Sequence, residues 1–136
     1  MRETVYSAGK CNIGENEIAQ RNRIGYLGLI LTIIGFVVYV IGIYTIKLEP
    51  IISLGLFFPA LMGSVGFIQA RSKFCAAYGF AKKYNVSSGL GVILHVEDIA
   101  HQKKDRNKAL IIVIQSILIA TVISLVSVLL GVVIYN

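Results

Sequence analysis

The chain has 136 residues, of which 56% are hydrophobic and only 15% are charged, and its mean hydropathy is +0.76. A soluble domain of this length would carry charge along its whole length, so the composition excludes an ordinary soluble protein and predicts a membrane protein. The net charge of +6 does not indicate nucleic-acid binding, because no stretch interleaves basic and aromatic residues as a recognition module does.

Residues 1–23 form a polar N-terminal segment, and from Cys11 the sequence reads CNIGENEIAQRNRIG. Asn16 is a suitable helix cap, and Glu17 lies in what would be the first turn. Glu17 and Arg21 are four residues apart in the order that stabilises a helix. The stretch therefore predicts a short helix that continues into the first membrane span.

Three apolar runs, 24–46, 50–70 and 109–134, are long enough to cross a bilayer. At about 1.5 Å per residue each covers a hydrocarbon core of about 30 Å. Backbone in lipid must satisfy its own hydrogen bonds, so we predict an all-α membrane protein with three transmembrane helices in one domain, 1–136. Residues 47–49 are the only connection between the first two spans, which must form an antiparallel helical hairpin.

Small residues recur along the predicted spans and indicate where helices approach closely. The candidate packing residues are Gly28, Gly35, Gly42, Gly63, Ser124 and Ser127. Packing within the chain and docking of a partner subunit are both open interpretations of these stripes. Pro59 lies in the middle of the predicted second helix and predicts a kink there.

Residues 71–108 form a long polar connection between the second and third spans. The sequence RSKFCAAYGFAKKYN at 71–85 repeats aromatic and small residues at helical spacing, which predicts an amphipathic helix in the headgroup region. The following run LGVILHVEDIAHQ, at 90–102, fits either a second interfacial helix or a strand, since a short apolar run does not distinguish them.

Twelve of the thirteen Lys and Arg residues lie in 1–23 or 71–108, and only Lys47 lies at the opposite ends of the spans. Basic loops remain in the cytoplasm. We therefore predict a multi-pass protein of the cell membrane with a cytoplasmic N-terminus and an external C-terminus. The same residues attract anionic headgroups, which makes membrane lipids an expected partner.

The two cysteines, Cys11 and Cys75, both fall on the predicted cytoplasmic side, where thiols stay reduced. They are either structural or a reactive pair activated by nearby basic residues. His95 and His101 would add zinc-ligand types, but their spacing of six residues places them on different faces of a helix, so we expect no metal and no cofactor. No catalytic constellation is present, which predicts a protein that is not an enzyme.

Two motifs stand where the first two spans meet the cytoplasmic face: CNxGxxE ending at Glu17, and QARxxFCxxxG at 69–79. A Tyr84-Asn85 pair and the sequence DRNKA at 105–109 follow. Over most of the chain this pattern resembles a family of small, uncharacterised prokaryotic three-span membrane proteins, with Tyr84 where that pattern has Phe. The resemblance implies a shared fold and a shared surface, and it brings no known activity.

These motifs define a candidate cluster at one membrane face. Its members are Cys11, Asn12, Glu17, Arg21, Gln69, Arg71 and Cys75. We expect the segment containing Cys11 and Asn12 to fold back against the end of the second span.

The function that we expect is that of a non-enzymatic accessory or interaction subunit of a larger membrane complex, or of a homo-oligomer. Small subunits of this size accompany respiratory and monooxygenase complexes, which is an association only. One alternative is a thiol or redox protein that uses Cys11 and Cys75. A second is a small oligomeric transporter or channel, although no ionisable residue lies deep in a span, which disfavours pumps and proton relays.

Overall fold

The computed structural model describes residues 5–87 and 93–135. Its elements in chain order are α1 (Glu15–Ile46), a 3₁₀ helix (Pro50–Leu56), α2 (Phe57–Ser72), α3 (Ala76–Ala81), β1 (Lys83–Tyr84), β2 (Leu94–His95) and α4 (Ile99–Tyr135). Residues 5–14, α3 and the β1–β2 pair lie together at one end of the bundle, and we call them the cap. The opposite end, which carries residues 47–49, is the turn end.

Three helical segments, Glu15–Ile46, Pro50–Ser72 and Ile99–Tyr135, are long and apolar enough to cross a membrane. Large apolar side chains cover their outer surface; Phe58 and Val133, for example, are 73% and 76% exposed. A soluble bundle would bury such residues, whereas lipid is an adequate solvent for them. The predicted all-α fold with three spans is confirmed.

The long helices extend well beyond the apolar runs. α1 begins at Glu15, so the helix predicted before residue 24 continues into the first span as expected, whereas α4 begins at Ile99, ten residues before its apolar run. Gly14, not Asn16, precedes the first turn of α1, so the predicted asparagine cap is wrong. Hydropathy marks where lipid begins, but a helix ends only where its hydrogen bonds do, so charged residues continue both helices outside the membrane.

The second span changes its helix type partway along. Pro50–Leu56 is a 3₁₀ helix, and the α-helix starts at Phe57. Pro59 is therefore the third residue of α2, where a backbone N–H has no partner within the helix in any case. Pro59 thus lies in the first turn of α2 rather than in the middle of an α-helix as predicted, and the change from 3₁₀ to α-helix comes just before it.

α1 and α2 cross at two pairs of glycines. A methyl group on Gly28 would lie 2.8 Å from the carbonyl oxygen of Pro59 and would overlap the backbone of Gly63. Similarly, a methyl group on Gly66 would overlap the backbone of Gly25. Only glycine at these positions lets the two backbones touch, which is the role predicted for Gly28 and Gly63.

α4 packs on α2 and on the 3₁₀ helix through a stripe of small residues. The stripe includes the buried residues Ala109, Ser116, Ala120, Ser124, Ser127 and Gly131. The Ser64 hydroxyl of α2 donates to the Ser116 carbonyl across this interface, at 3.1 Å. The predicted packing residues Ser124 and Ser127 therefore act within the chain. Gly35 and Gly42, in contrast, face only the side chains of Leu56 and Leu48.

The connection between α2 and α4 is only partly helical. α3 covers six residues and buries Ala76 and Gly79, whereas Ala77 and Ala81 of the predicted amphipathic face are exposed. Gly79 permits this orientation, since a methyl group there would lie 2.9 Å from the backbone oxygen of Asp105 on α4.

The second stretch of this connection forms a strand in place of the alternative interfacial helix. Lys83 pairs with His95 and Tyr84 with Leu94 in antiparallel register. The Val96 amide then donates to the Lys82 carbonyl at 2.9 Å. Residues 88–92, including Leu90 of the predicted apolar face, lie outside the described residues.

Candidate functional site

Asn12 joins the N-terminal segment to the rest of the cap. Its side chain is fully buried, its Oδ1 accepts from the Cys75 amide at 2.6 Å, and its Nδ2 donates to the Cys75 carbonyl at 3.0 Å. Its backbone amide donates to the Lys73 carbonyl, and its own carbonyl accepts from the Asn85 amide at 2.8 Å. A short amide side chain is needed here, because it presents one donor and one acceptor side by side.

Glu17 is a buried carboxylate at the start of α1, only 4% exposed. Its Oε1 accepts from the Tyr78 hydroxyl at 3.1 Å and from Asn85 Nδ2 at 3.3 Å. Its Oε2 lies 3.5 Å from Nη2 of Arg21 one turn further on. These three donors replace the water that a buried carboxylate loses. Burial and, secondly, the bond to Glu17 raise the pKa of Tyr78 above its ordinary value.

The two thiols occupy different environments, and both are free. The Cys75 side chain is 1% exposed, and its Sγ lies 3.4 Å from Nη2 of Arg21. Cys11 is half-buried, and its thiol donates to the carbonyl of Ile13 at 3.5 Å. A nucleophilic thiol must reach its target, so burial leaves Cys75 no route to a disulfide partner in the folded chain.

Gln69 and Arg71 stand apart from this network. The Gln69 side chain is buried, but its Oε1 has no hydrogen-bond partner among the described residues; its backbone carbonyl accepts from the Phe74 amide at 3.0 Å and from the Ser72 hydroxyl at 3.3 Å. Arg71 is exposed. Of the predicted cluster, the structure thus brings together Asn12, Glu17, Arg21 and Cys75. Arg71 remains at the surface, and the Cys11 thiol faces the carbonyl of Ile13 in its own segment.

Asp105 is a second buried carboxylate, outside the predicted cluster. It is fully buried on α4, where its two carboxylate oxygens accept from the Tyr6 hydroxyl at 2.8 Å and from the Gly9 amide at 2.6 Å. Tyr6 also stacks on Tyr84, with ring centroids 4.4 Å apart. Burial and, next, the bond to Asp105 raise the pKa of Tyr6 well above its ordinary range. The charged run KKDRNK looks solvated in sequence, so only the DRNKA motif could have indicated Asp105.

The hydrogen bonds to the carboxylates of Glu17 and Asp105 fix the cap on the helices, and these two carboxylates are not available as catalytic groups. The carboxylates of Glu17 and Asp105 are occupied by donors from the cap itself. Among the described residues no group of three or more His, Cys, Asp or Glu side chains lies close enough to hold a metal ion. The arrangement fits a structural network that fixes the cap on the helices.

Most hydroxyl groups of the spans are also bonded to the backbone. The hydroxyls of Thr32 and Thr121 donate to the carbonyls four residues earlier, and those of Ser116 and Ser127 do the same. Ser53 and Ser64 also bond to carbonyls, whereas the buried Ser124 hydroxyl has no hydrogen-bond partner among the described residues and Gln115 is exposed on α4. Hydroxyls bonded in this way do not line a path for ions through the chain.

The outer surface of the cap carries a cleft of about 540 Å³. Its lining consists of Tyr6, Tyr84, Ile93, Leu94, His95, Val96, Glu97, Asp98 and His101. Apolar side chains at this surface are exposed: Ile93 by 42%, Leu94 by 49% and, at the start of α4, Ile99 by 81%. The His101 amide donates to the Asp98 carboxylate at 3.0 Å, and this bond lowers the pKa of Asp98. We call Ile93, Leu94 and Ile99 the apolar patch.

No family model matches this chain, and no match is found among curated proteins or solved structures. The resemblance to a family of three-span prokaryotic proteins therefore stays a prediction. The function of the chain is therefore inferred from its own geometry.

Proposed function

We propose that the protein is a non-enzymatic accessory subunit of a larger membrane complex and that it binds a partner protein through the apolar patch beside the cleft. The observation that carries this proposal is the exposure of Ile99, Leu94 and Ile93 on the cap. Along the three spans, exposed apolar side chains are explained by contact with lipid. On the cap this explanation fails.

The position of the patch along α4 supports this distinction. Ile99 precedes the start of the apolar run at Ala109 by ten residues, which is about 15 Å of helix. The intervening Lys103, Lys104 and Arg106 are exposed and hold this part of α4 out of the hydrocarbon. Apolar groups exposed to water beside a cleft are typical of a surface that binds another protein.

The proposed orientation places the cap in the cytoplasm and the C-terminus outside the cell membrane. It rests on the basic residues, of which only Lys47 belongs to the turn end. In this orientation the patch faces soluble and peripheral subunits as well as the loops of other membrane subunits. A respiratory or monooxygenase complex is the class that we expect by analogy of size.

The geometry favours this function over the alternatives. A thiol protein needs an accessible sulfur, and Cys75 is 1% exposed. A channel needs free polar groups along a path, and the hydroxyls of Ser64 and Ser116 are bonded to the backbone. A binding subunit needs only a rigid, exposed apolar surface, which the cap provides.

Native electrophoresis of membranes solubilised in mild detergent tests the proposal. The wild-type chain should migrate in a discrete species larger than its 14.8 kDa monomer. Ile99→Thr together with Leu94→Thr should shift it toward the monomer, because both remove apolar area from the patch. Val133→Thr, on the lipid-facing surface of α4, is the matched control and should leave the larger species intact. Monomeric migration of the wild type at all detergent concentrations would contradict the proposal.

A further inference from the structure

The hairpin of the first two spans opens toward the turn end. α1 and α2 touch at the Gly28–Gly63 crossing, but beyond it the 3₁₀ helix Pro50–Leu56 packs mainly on α4 rather than on α1. A 3₁₀ helix is also narrower than an α-helix. A groove of about 270 Å³ therefore remains between the second half of α1 and the 3₁₀ helix, open to the membrane.

Three glycines keep this groove open. A methyl group on Gly55 would meet no atom within 4 Å, and one on Gly42 would make only ordinary contacts with Leu48. On Gly35 it would meet only a terminal methyl of Leu56, at 2.8 Å. These glycines differ from Gly28, where the missing side chain lets two backbones touch. Here the missing side chains leave space that none of the described residues fills.

The lining of the groove suits an apolar chain. Its two side-chain hydroxyls are already bonded: Tyr39 donates to the Pro50 carbonyl at 3.2 Å, and Ser53 donates to the same carbonyl at 2.8 Å. The remaining lining side chains are aliphatic: Val38, Ile46, Leu48, Ile52 and Leu56. A ligand in the groove gains apolar contact and needs no hydrogen bonds there.

The dimensions of the groove favour an acyl chain over a helix. Along α1 it runs from Gly35 to Ile46, which is about 16 Å and equals about half of the 30 Å hydrocarbon core. It stops where the Gly28–Gly63 crossing closes the hairpin. A transmembrane helix of a partner is about 10 Å wide and crosses both leaflets, whereas this groove is one leaflet long.

The charges at the open end match a phospholipid headgroup. Lys47 follows Ile46 directly and is exposed, as is Glu49 two residues on. The described residues contain one salt bridge, Glu17–Arg21, so Lys47 and Glu49 do not neutralise each other. Lys47 also adopts a left-handed backbone conformation, with φ of 53°, at a helix end where glycine would be less strained.

The geometry points to a binding site for one zwitterionic phospholipid of the leaflet at the turn end. An acyl chain occupies the glycine groove, the phosphate pairs with Lys47, and the headgroup ammonium pairs with Glu49. The site lies at the opposite end of the bundle from the apolar patch, so it does not depend on the function proposed above.

Native mass spectrometry of the full-length, delipidated protein tests this site. The protein is titrated with phosphatidylethanolamine or with phosphatidylglycerol of the same chain length. The wild type should bind one phosphatidylethanolamine about fivefold more tightly than phosphatidylglycerol, since one interfacial charge contributes about that factor. Gly55→Leu should weaken this binding at least about tenfold, because Gly55 lines the groove and a Cβ at this position meets no atom within 4 Å. Lys47→Gly should weaken the binding of phosphatidylethanolamine about fivefold. Because glycine adopts the left-handed backbone conformation with less strain, the thermal stability of this variant should not fall.

Val122→Leu, at an exposed position on α4, is the control and should bind as the wild type does. If Gly55→Leu unfolds, Gly42→Leu fills the same groove from α1. Equal binding of the two lipids by the wild type, or unchanged binding after the groove is filled, would overturn the site. The site would also be overturned if the Gly55→Leu variant formed a smaller oligomer than the wild type while its lipid binding stayed unchanged, because the groove would then bind another protein.

Discussion

The side chain of Asn12 and the backbone of Cys75 form a closed pair of hydrogen bonds, of 2.6 and 3.0 Å, between residues 63 positions apart. The pair attaches the N-terminal segment to the beginning of α3. Both partners are buried, so water does not compete for these bonds. The N-terminal segment is therefore an integral part of the folded cap.

Asn12→Ala should lower the free energy of unfolding by about 2–4 kcal/mol, because it leaves the buried amide and carbonyl of Cys75 without partners. Thermal unfolding in detergent, followed by circular dichroism, measures the change. Asn107→Ala, at an exposed position on α4, is the control and should have little effect. Equal stability of the two variants would contradict the role of Asn12.

Gly28→Ala should destabilise the hairpin by about 1–3 kcal/mol, since the added methyl group overlaps the backbone of Gly63 and forces the helices apart. Gly55→Ala is the matched control, because its methyl group meets nothing within 4 Å. The midpoints of unfolding in a denaturing detergent compare the two variants. If Gly55→Ala were the more harmful substitution, the helix crossing described here would be wrong.

Stability should fall as the pH rises above about 10, the ordinary pKa of tyrosine. The pKa values of Tyr6 and Tyr78 are raised in the folded protein, so above that pH the unfolded chain releases protons that the folded chain retains. The folded state then binds more protons, and each further rise in pH favours unfolding. Below about pH 10 both states hold these protons and the two residues contribute no pH dependence.

The double variant Tyr6→Phe and Tyr78→Phe removes both titrating groups. It should be less stable at pH 8, because Asp105 and Glu17 each lose a donor, but its stability should fall less steeply between pH 9 and 11. Denaturant midpoints across that range give the two slopes. Parallel curves for the variant and the wild type would mean that neither tyrosine contributes to the alkaline loss.

The two cysteines should differ in reactivity toward a maleimide. The Cys75→Ser variant, which retains the half-buried Cys11, should react in the folded state. The Cys11→Ser variant, which retains Cys75, should react only after unfolding, because that side chain is 1% exposed. Mass spectrometry of the labelled protein gives the rates. Rapid labelling of Cys75 in the folded chain would revive the interpretation as a thiol protein.

The three spans could be predicted because an apolar run of about 20 residues is by itself sufficient reason for a helix in lipid. The helix before the first span was indicated by Glu17 and Arg21, which are four residues apart, whereas the start of α4 could not be predicted, since polar residues such as Lys103 continue a helix as readily as apolar ones. The 3₁₀ helix before Phe57 was missed because the apolar pattern is the same for both helix types.

The cap was predictable only in part. Topology placed Asn12 and Cys75 at one face of the membrane, and the structure joins them directly. The Tyr6–Asp105 bond links residues 99 positions apart, and no periodicity in sequence indicates such a contact. The pairing of β1 with β2 depends likewise on contacts across a loop, so their two-residue strands leave no local pattern.

Site-specific photo-crosslinking from position 99 in intact membranes tests the proposed function most directly. A photoreactive amino acid in place of Ile99 should yield one discrete protein adduct, and Leu94→Arg in the same chain should suppress it, because the charge disrupts the apolar patch. The same probe at Arg71, which is exposed at the end of α2 and lies outside the patch, should not yield that adduct. An adduct mass of twice 14.8 kDa would identify a second copy as the partner. Identical products from positions 99 and 71, or an adduct that Leu94→Arg leaves unchanged, would contradict a binding role for the patch.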